Sequence, residues 1–174
     1  MNETTERTIR LVTALSDKER EILYEWGVDI FIVDYFHLEW RPKDWHFLCY
    51  ENGKLVSAAG VLQQNIFVGT HSVSVAGVGG VVTLPEARER GHATALMRQV
   101  ADYIKNEMSV EFGMLFCHEE LIPFFVRLGW QRIGEKAFVD QPSGGIDCPL
   151  PVMILSCHGE TWRRGPVSTC SEPW

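Results

Sequence analysis

The chain has 174 residues, of which 45% are hydrophobic and 22% charged, so it predicts one ordinary globular domain over residues 1–174. Its formal net charge of -7 argues against a nucleic-acid partner, which would require a basic surface, and favours a cationic substrate. The five cysteines lack the spacing of a disulfide framework or a zinc site, and no apolar run is long enough to cross a membrane, so we expect a cytoplasmic protein without a metal.

The first part of the chain predicts one strand and one capped helix, followed by an apolar segment. Residues 7–15 alternate as a strand does. The residues expected to face inward are Ile9, Leu11 and Ala14. Ser16 and Glu19 form the pattern of a capping box, which predicts a helix that continues to Trp26. A second, aromatic-rich segment that we also predict to be helical follows at residues 29–40.

An antiparallel meander is predicted next. A strand at residues 45–50 leads to Asn52-Gly53, a strong hairpin signal because both residues tolerate positive φ. The chain returns at residues 55–63 and turns again at 68–70 into a long strand at His71–Thr83. The small residues expected to mark a bulge or a close backbone contact in that strand are Gly77, Gly79 and Gly80.

The apolar period then changes from that of a strand to that of a helix. Residues 91–106 carry an apolar stripe at helical spacing, and this predicts a helix between two strands. The later predicted elements are a strand at 111–117, a helix at 121–128, strands at 130–139 and 151–156, a loop at 141–149 and an irregular tail at 157–174. A β-α-β crossover makes its two strands parallel. The order therefore predicts an α/β (α+β) fold with a mixed, mostly antiparallel sheet and helices on both faces.

A phosphate site is predicted where the long strand gives way to the helix. The first amides of a helix have no partners within it and, together with the helix dipole, attract anions. Gly91 lacks the Cβ that would keep a phosphate away, and Ala93 is nearly as small. Arg88 and Arg90 add positive charge beside them.

The pattern Arg88-x-x-Gly91-x-Ala93 resembles the Arg/Gln-x-x-Gly-x-Gly/Ala loop of the GNAT (GCN5-related N-acetyltransferase) superfamily. The segment from Phe124 to Trp130 resembles the closing Tyr-x-x-x-Gly-Phe segment of the same superfamily, so the resemblance extends over residues 7–155. It implies the GNAT fold with a splayed parallel strand pair, acetyl-CoA (coenzyme A) as donor and an amine as acceptor. The residues that it implies for cofactor binding are Val81, Val82, Arg88, Glu89, Arg90, Gly91, His92, Ala93 and Thr94.

The resemblance leaves the catalytic acid and base open. Many relatives have a glutamate on the fourth strand and a tyrosine on the last short helix, and these positions fall near Gly79 and at Phe125. The catalytic candidates in their place are His118 and Glu119, which follow the strand parallel to the cofactor strand. Helix capping and solvent exposure are the alternative interpretations of both residues. Cys117 is a weaker candidate, since a buried cysteine is commonly packing.

Three functions stay open at this point: an N-acetyltransferase for a small cationic amine, a non-catalytic acyl-CoA-binding module, and a transferase of longer acyl chains. The Pro/Gly loop and the tail ending in tryptophan loosely resemble aminoglycoside N-acetyltransferases, in which an acidic tail helps bind the polyamine sugar. Glu172 and the carboxylate of Trp174 would have that role here. Homodimers are frequent among such folds, so a homodimer is one expected assembly.

Overall fold

Ten strands and three α-helices form the structure, a computed structural model that describes residues 6–27, 31 and 37–174. The strands are β1 Arg7–Val12, β2 Trp45–Glu51, β3 Lys54–Val68, β4 His71–Thr83, β5 Phe112–Phe116, β6 Gln131–Arg132, β7 Ala137–Val139, β8 Ile146–Asp147, β9 Val152–Ser156 and β10 Val167–Ser168. The helices are α1 Asp17–Tyr24, α2 His92–Glu107 and α3 Ile122–Arg127, with 3₁₀ turns at Pro85–Ala87 and Glu119–Leu121. Most of the helical segment predicted at residues 29–40 lies outside the described residues.

Local signals explain the first elements, with one correction. The Ser16 hydroxyl accepts a hydrogen bond from the Glu19 amide at 3.2 Å, and the Glu19 carboxylate accepts one from the Ser16 amide at 2.8 Å, which is the predicted capping box. α1 ends at Tyr24, before the predicted end. The inward orientation of Leu11 and Ala14 was wrong. Leu11 is 42% exposed because β1 is an edge strand that pairs with β2, and Ala14 is exposed because β1 stops at Val12.

The meander follows its turn residues. Asn52 and Gly53 have φ values of 48° and 75°, the positive values that a tight hairpin requires, and Gly69 turns the next hairpin at 60°. β3 continues past its predicted end at residue 63 to Val68, because its second half pairs with β4 and its last two residues pair with β10. A single long strand therefore connects the two halves of the sheet.

The sheet has the order β6-β9-β5-β4-β3-β10-β7-β8, and β2 with β1 pairs alongside the first half of β3. The pairs β4–β5 and β10–β7 are parallel and the other pairs are antiparallel. α2 packs on one face and α1 on the other, since Phe47 and Cys49 of β2 contact the α2 core while Leu48 between them contacts the α1 core. The predicted mixed α/β fold is confirmed.

The last third of the chain is more regular than its sequence indicated. The strand predicted at residues 130–139 is two short strands, β6 and β7, at distant places in the sheet. The predicted loop contains β8, and the tail predicted to be irregular contains β10 and ends at Trp174, which is 2% exposed. β10 pairs with β3 and β7, which satisfies its backbone hydrogen-bonding groups. The polar sequence of the tail did not predict this burial.

Candidate active site

The two parallel strands at the centre of the sheet separate partway along their length. β4 and β5 pair from Val75 opposite Phe112 to Val78 opposite Leu115, and β4 then diverges. A β-bulge lies at this point, because Gly80 and Val81 of β4 together face a single residue of β3, Ala59. The predicted bulge is confirmed, and the φ of 60° at Gly80 shows why glycine is suitable there.

The divergence opens a cleft of about 720 Å³ between β4, β5 and the helix after β5. Val81, Val82 and Thr83 form one wall, at the end of β4 that still follows β3 but no longer pairs with β5. The remaining lining residues are Phe31, Trp40, Lys43, Val78, Gly79, Gly80, Arg88, Leu115, Phe116, Cys117, His118, Glu120, Leu121, Phe125, Leu150 and Trp174.

The loop after β4 presents an open helix N-terminus. Gly91 is the N-cap of α2 with a φ of 77°, and no atom lies within 4 Å of where a Cβ would be. No side chain caps α2, so the first amides are open to an anion such as a phosphate. Arg88 lines the cleft, donates from Nε to the Thr83 carbonyl oxygen at 3.3 Å, and stacks its guanidinium over the Trp26 ring at 5.5 Å. These features fit the phosphates of a nucleotide donor.

Two side chains of the predicted cofactor loop contact Glu51 of β2 and do not line the cleft. Arg90 forms an ion pair with Glu51 of β2, Nη2 to Oε2 at 2.6 Å, and the buried His92 ring has Nε2 3.3 Å from Glu51 Oε1. Arg7 of β1 donates to the Arg90 carbonyl oxygen at 3.0 Å. Burial, with the charge of Arg7, lowers the pKa of His92, so the ring is held neutral. The loop is anchored by these groups, which leaves its main chain as the part available to a donor.

The structure places one of the two sequence-predicted catalytic residues in the cleft and the other outside it. His118 lines the cleft, and its Nε2 lies 2.8 Å from the Phe31 carbonyl oxygen, so this nitrogen carries the proton. Glu119 is paired with Arg132 at 2.6 Å, with 66% of its side chain exposed, and does not line the cleft. Burial raises the pKa of the Cys117 thiol to about 11, which fits a packing role. Phe125 is buried in the wall.

Sequence reasoning missed Lys43 as a residue of this site. Its side chain crosses the sheet over Gly60 and Gly79, which face each other on β3 and β4, and its Nζ donates to the Arg41 carbonyl oxygen at 3.1 Å. Burial, with the charge of Arg41, lowers the pKa of Lys43 to about 8. The sequence feature that indicates this position of Lys43 is the pair of glycines, but the two glycines can be recognised as a pair only when the register of β3 and β4 is known.

Trp174 closes the same end of the cleft. Its indole fills the space beside Gly77 and donates from Nε1 to the Met114 carbonyl oxygen at 3.2 Å, and its ring meets Phe116 edge-on at 5.3 Å. Its main-chain oxygen lies 2.8 Å from where a Gly79 Cβ would be. The small residues of β4 therefore make room for both Trp174 and Lys43.

The fold, the strand divergence and the loop are those of the GNAT acetyltransferases, and the chain belongs to this family: the family described as "Acetyltransferase (GNAT) domain" matches residues 32–133. Its members are acyl-CoA-dependent N-acyltransferases that use acetyl-CoA as donor. No curated protein sequence matches the chain. Among the described residues, no helix combines the length and the hydropathy that a membrane crossing requires.

Solved structures share the fold at low sequence identity. YhbS of Escherichia coli, solved with CoA, is 10% identical with a TM-score of 0.67, and the match covers 97% of this chain and 92% of that one. The ribosomal-protein-S18-alanine N-acetyltransferase of Escherichia coli is 16% identical with a TM-score of 0.57, over 91% and 99% of the two chains. A GCN5-related N-acetyltransferase of Kribbella flavida is 19% identical with a TM-score of 0.50 over 72% of this chain, and the chain spans 34% of its length.

Proposed function

We propose that the protein transfers an acetyl group from acetyl-CoA to the primary amine of a small, cationic acceptor. The observation that carries the proposal is the cleft between the diverging ends of β4 and β5, which extends from Arg88 to Lys43 and Trp174. A cytoplasmic location is part of the proposal, because the five cysteines are all unpaired, as in a reducing compartment.

The donor site is proposed at the open beginning of α2. The pyrophosphate would accept hydrogen bonds from the amides of residues 89–94, with the Arg88 side chain beside it. The extended arm of the donor would lie along the main chain of Val81 and Val82, whose polar groups have no β5 partner. This arrangement would put the thioester near Gly79 and the bulge that begins at Gly80.

The acceptor site is proposed at the Trp40 and Trp174 end of the cleft. The Glu120 carboxylate and the main-chain oxygen of Trp174 are the acceptor groups that an ammonium or a sugar hydroxyl needs. The flat faces of aromatic residues suit a ring-containing amine, and aminoglycosides are therefore one class to test. Holding the amine in line with the thioester supplies much of the rate acceleration, and proton removal from the amine supplies more. His118 stays the sequence-predicted candidate for that second role.

Calorimetric titration of acetyl-CoA tests the donor site. The wild type is expected to bind, and Gly91→Glu is expected to lose binding, because a carboxylate would occupy the open space and repel the phosphates. Gly53→Glu is the matched control: Gly53 has a φ of 75° against 77° at Gly91, and no atom lies within 4 Å of either Cβ position. Absent binding by the wild type, or equal loss in both variants, would contradict the proposed site.

Release of free CoA with a panel of amines tests the transfer. The panel contains aminoglycosides, linear polyamines, amino acids and short peptides, and transfer is expected for one class of cationic small amine. If the protein binds acetyl-CoA but releases no CoA with any amine, the result would favour the non-catalytic module. Phe125 and Gly79 support that alternative, because they stand where many relatives have the acid and the base. Repeating the assay with longer acyl-CoA donors separates acetyl transfer from the transfer of longer chains.

A further inference from the structure

Lys43 occupies the space of a side chain that β4 does not have. A Cβ on Gly79 would lie 2.8 Å from Lys43 Cε, so the lysine stem fills the volume into which any larger residue at position 79 would project. On the paired strand, a Cβ on Gly60 would overlap the Lys43 stem as well. Two facing glycines thus form a passage through which Lys43 reaches the bulge.

Lys43 lies where two cavities meet. The main cleft and a second cavity of about 390 Å³ under α1 share Phe31, Lys43, Gly79 and Gly80 as lining residues. Lys43 makes one hydrogen bond, to the Arg41 carbonyl oxygen, and the described residues give it no ion pair. A half-buried amine without an ion-pair partner is destabilised in its charged form.

The charge of Arg41 acts on Lys43 in the same direction as burial. From the second cavity, the titratable groups that face Lys43 are Arg20, Tyr24 and His46. From the main cleft, they are Arg88, Cys117, His118 and Glu120. Glu120 is the one side-chain carboxylate among the described lining residues of the two cavities.

We propose that Lys43, and not His118, is the catalytic base of the acetyl transfer and accepts the proton of the attacking amine. The inference rests on the proposed function. The nitrogen lone pair of the acceptor forms a bond to the thioester carbon, and the proton that this nitrogen sheds moves to the neutral Lys43 amine. The C–S bond breaks and its electron pair leaves with the sulfur of CoA. The Lys43 ammonium then returns the proton to that thiolate, which gives the CoA thiol and a neutral lysine again.

The proton balance suits a lysine in this environment. An ordinary lysine, with a pKa of about 10.4, would be charged and unable to accept a proton at neutral pH. Burial and Arg41 lower the pKa of Lys43 to about 8, which is close to the value of about 8.5 for a free thiol. One group can therefore take the proton from the amine and give it to the thiolate, and this would explain why neither Gly79 nor Phe125 needs an ionisable side chain.

The first test needs no acceptor. The intact protein is treated with an amine-reactive reagent over a range of pH, and the labelling of each lysine is measured by mass spectrometry. The labelling rate of Lys43 is expected to reach half of its maximum at a pH near 8, and acetyl-CoA is expected to lower this rate. Lys54, at the exposed beginning of β3, is followed in the same digest for comparison. Labelling of Lys43 that begins only near pH 10, or that acetyl-CoA does not affect, would overturn the proposal.

The second test uses the amine identified in the transfer assay. Lys43→Met keeps the stem over the glycines and is expected to lower kcat about 10²- to 10⁴-fold while acetyl-CoA binding stays as in the wild type. Lys43→Arg is expected to lose activity too, because a guanidinium keeps the charge but cannot accept a proton. Trimethylamine, which cannot form a stable amide, is expected to restore part of the activity of Lys43→Ala. Lys54→Met is the control for loss of a lysine.

The outcomes separate this proposal from the general function. Activity retained in Lys43→Met would overturn the base role. Activity retained in Lys43→Arg but lost in Lys43→Met would overturn it as well, because a positive charge at this position would then be sufficient. In both cases the acetyltransferase function would stand. A wild type that binds acetyl-CoA but acetylates no amine would remove the transferase proposal, and the base role with it.

Discussion

At the scale of single residues, Glu51 links the core of the sheet to the loop that is proposed to bind the donor. Its carboxylate is 8% exposed and contacts Arg90 at 2.6 Å and His92 at 3.3 Å. Arg90 and His92 flank Gly91, so Glu51 holds both sides of the N-cap without reaching the cleft. Sequence analysis assigned Arg90 and His92 to cofactor binding from their place in the motif, and the contact of both side chains with Glu51 required the tertiary structure.

Glu51→Gln is expected to weaken acetyl-CoA binding about tenfold, a change of about 1.4 kcal/mol, because Arg90 loses a charge-assisted contact and the loop loses its anchor. Calorimetry on the folded variant gives this value. Glu111→Gln is the control, since this carboxylate binds Ser74, away from the loop. Unchanged affinity in Glu51→Gln would show that the loop keeps its conformation without the anchor.

At the scale of elements, short-range signals predicted more than long-range ones. The capping box of α1, the Asn52-Gly53 hairpin and the Gly91 beginning of α2 each depend on neighbours within a few residues, and each was found near its predicted place. β10 and the separation of β6 from β7 depend on partners far away in the chain, and the sequence did not predict them.

Ser16→Ala is expected to lower the free energy of unfolding by about 1 kcal/mol, because it removes the hydroxyl that accepts from the Glu19 amide. Urea unfolding followed by circular dichroism measures the difference. Ser72→Ala, at an exposed position of β4, is expected to change stability much less. An equal effect in both variants would mean that the cap does not stabilise α1.

At the scale of the whole molecule, the buried His92 and the half-buried His46 make stability depend on pH. Burial is the main cause that lowers the pKa of both His46 and His92 in the folded protein. Below about pH 6.5, the ordinary pKa of histidine, the unfolded chain binds protons that the folded chain does not. The free energy of unfolding is therefore expected to decrease as the pH is lowered. Glu19 and Glu160, whose pKa values are lowered by hydrogen bonds to backbone amides, are expected to add a second loss below pH 4.5.

Urea midpoints at several pH values between 7.5 and 5 measure the first effect. His92→Gln cannot bind the proton, so its midpoints are expected to fall less steeply than those of the wild type, even though the variant is less stable overall. Slopes that are equal in the two proteins would show that His92 does not contribute to the pH dependence.

The sequence by itself determined the fold class and the strand-loop-helix that identifies the family, and it indicated a bulge or a close contact at the glycines of β4. Periodicity, glycine conformation and helix N-termini are properties of neighbouring residues. Only the tertiary structure decided which side chains share the cleft. Lys43 lies before β2, Gly79 lies in β4 and Trp174 follows β10, and their proximity depends on the register of β3 and β4 and on the burial of the tail. A lysine becomes a candidate base through burial and neighbouring charge, and neither quantity exists before the chain is folded.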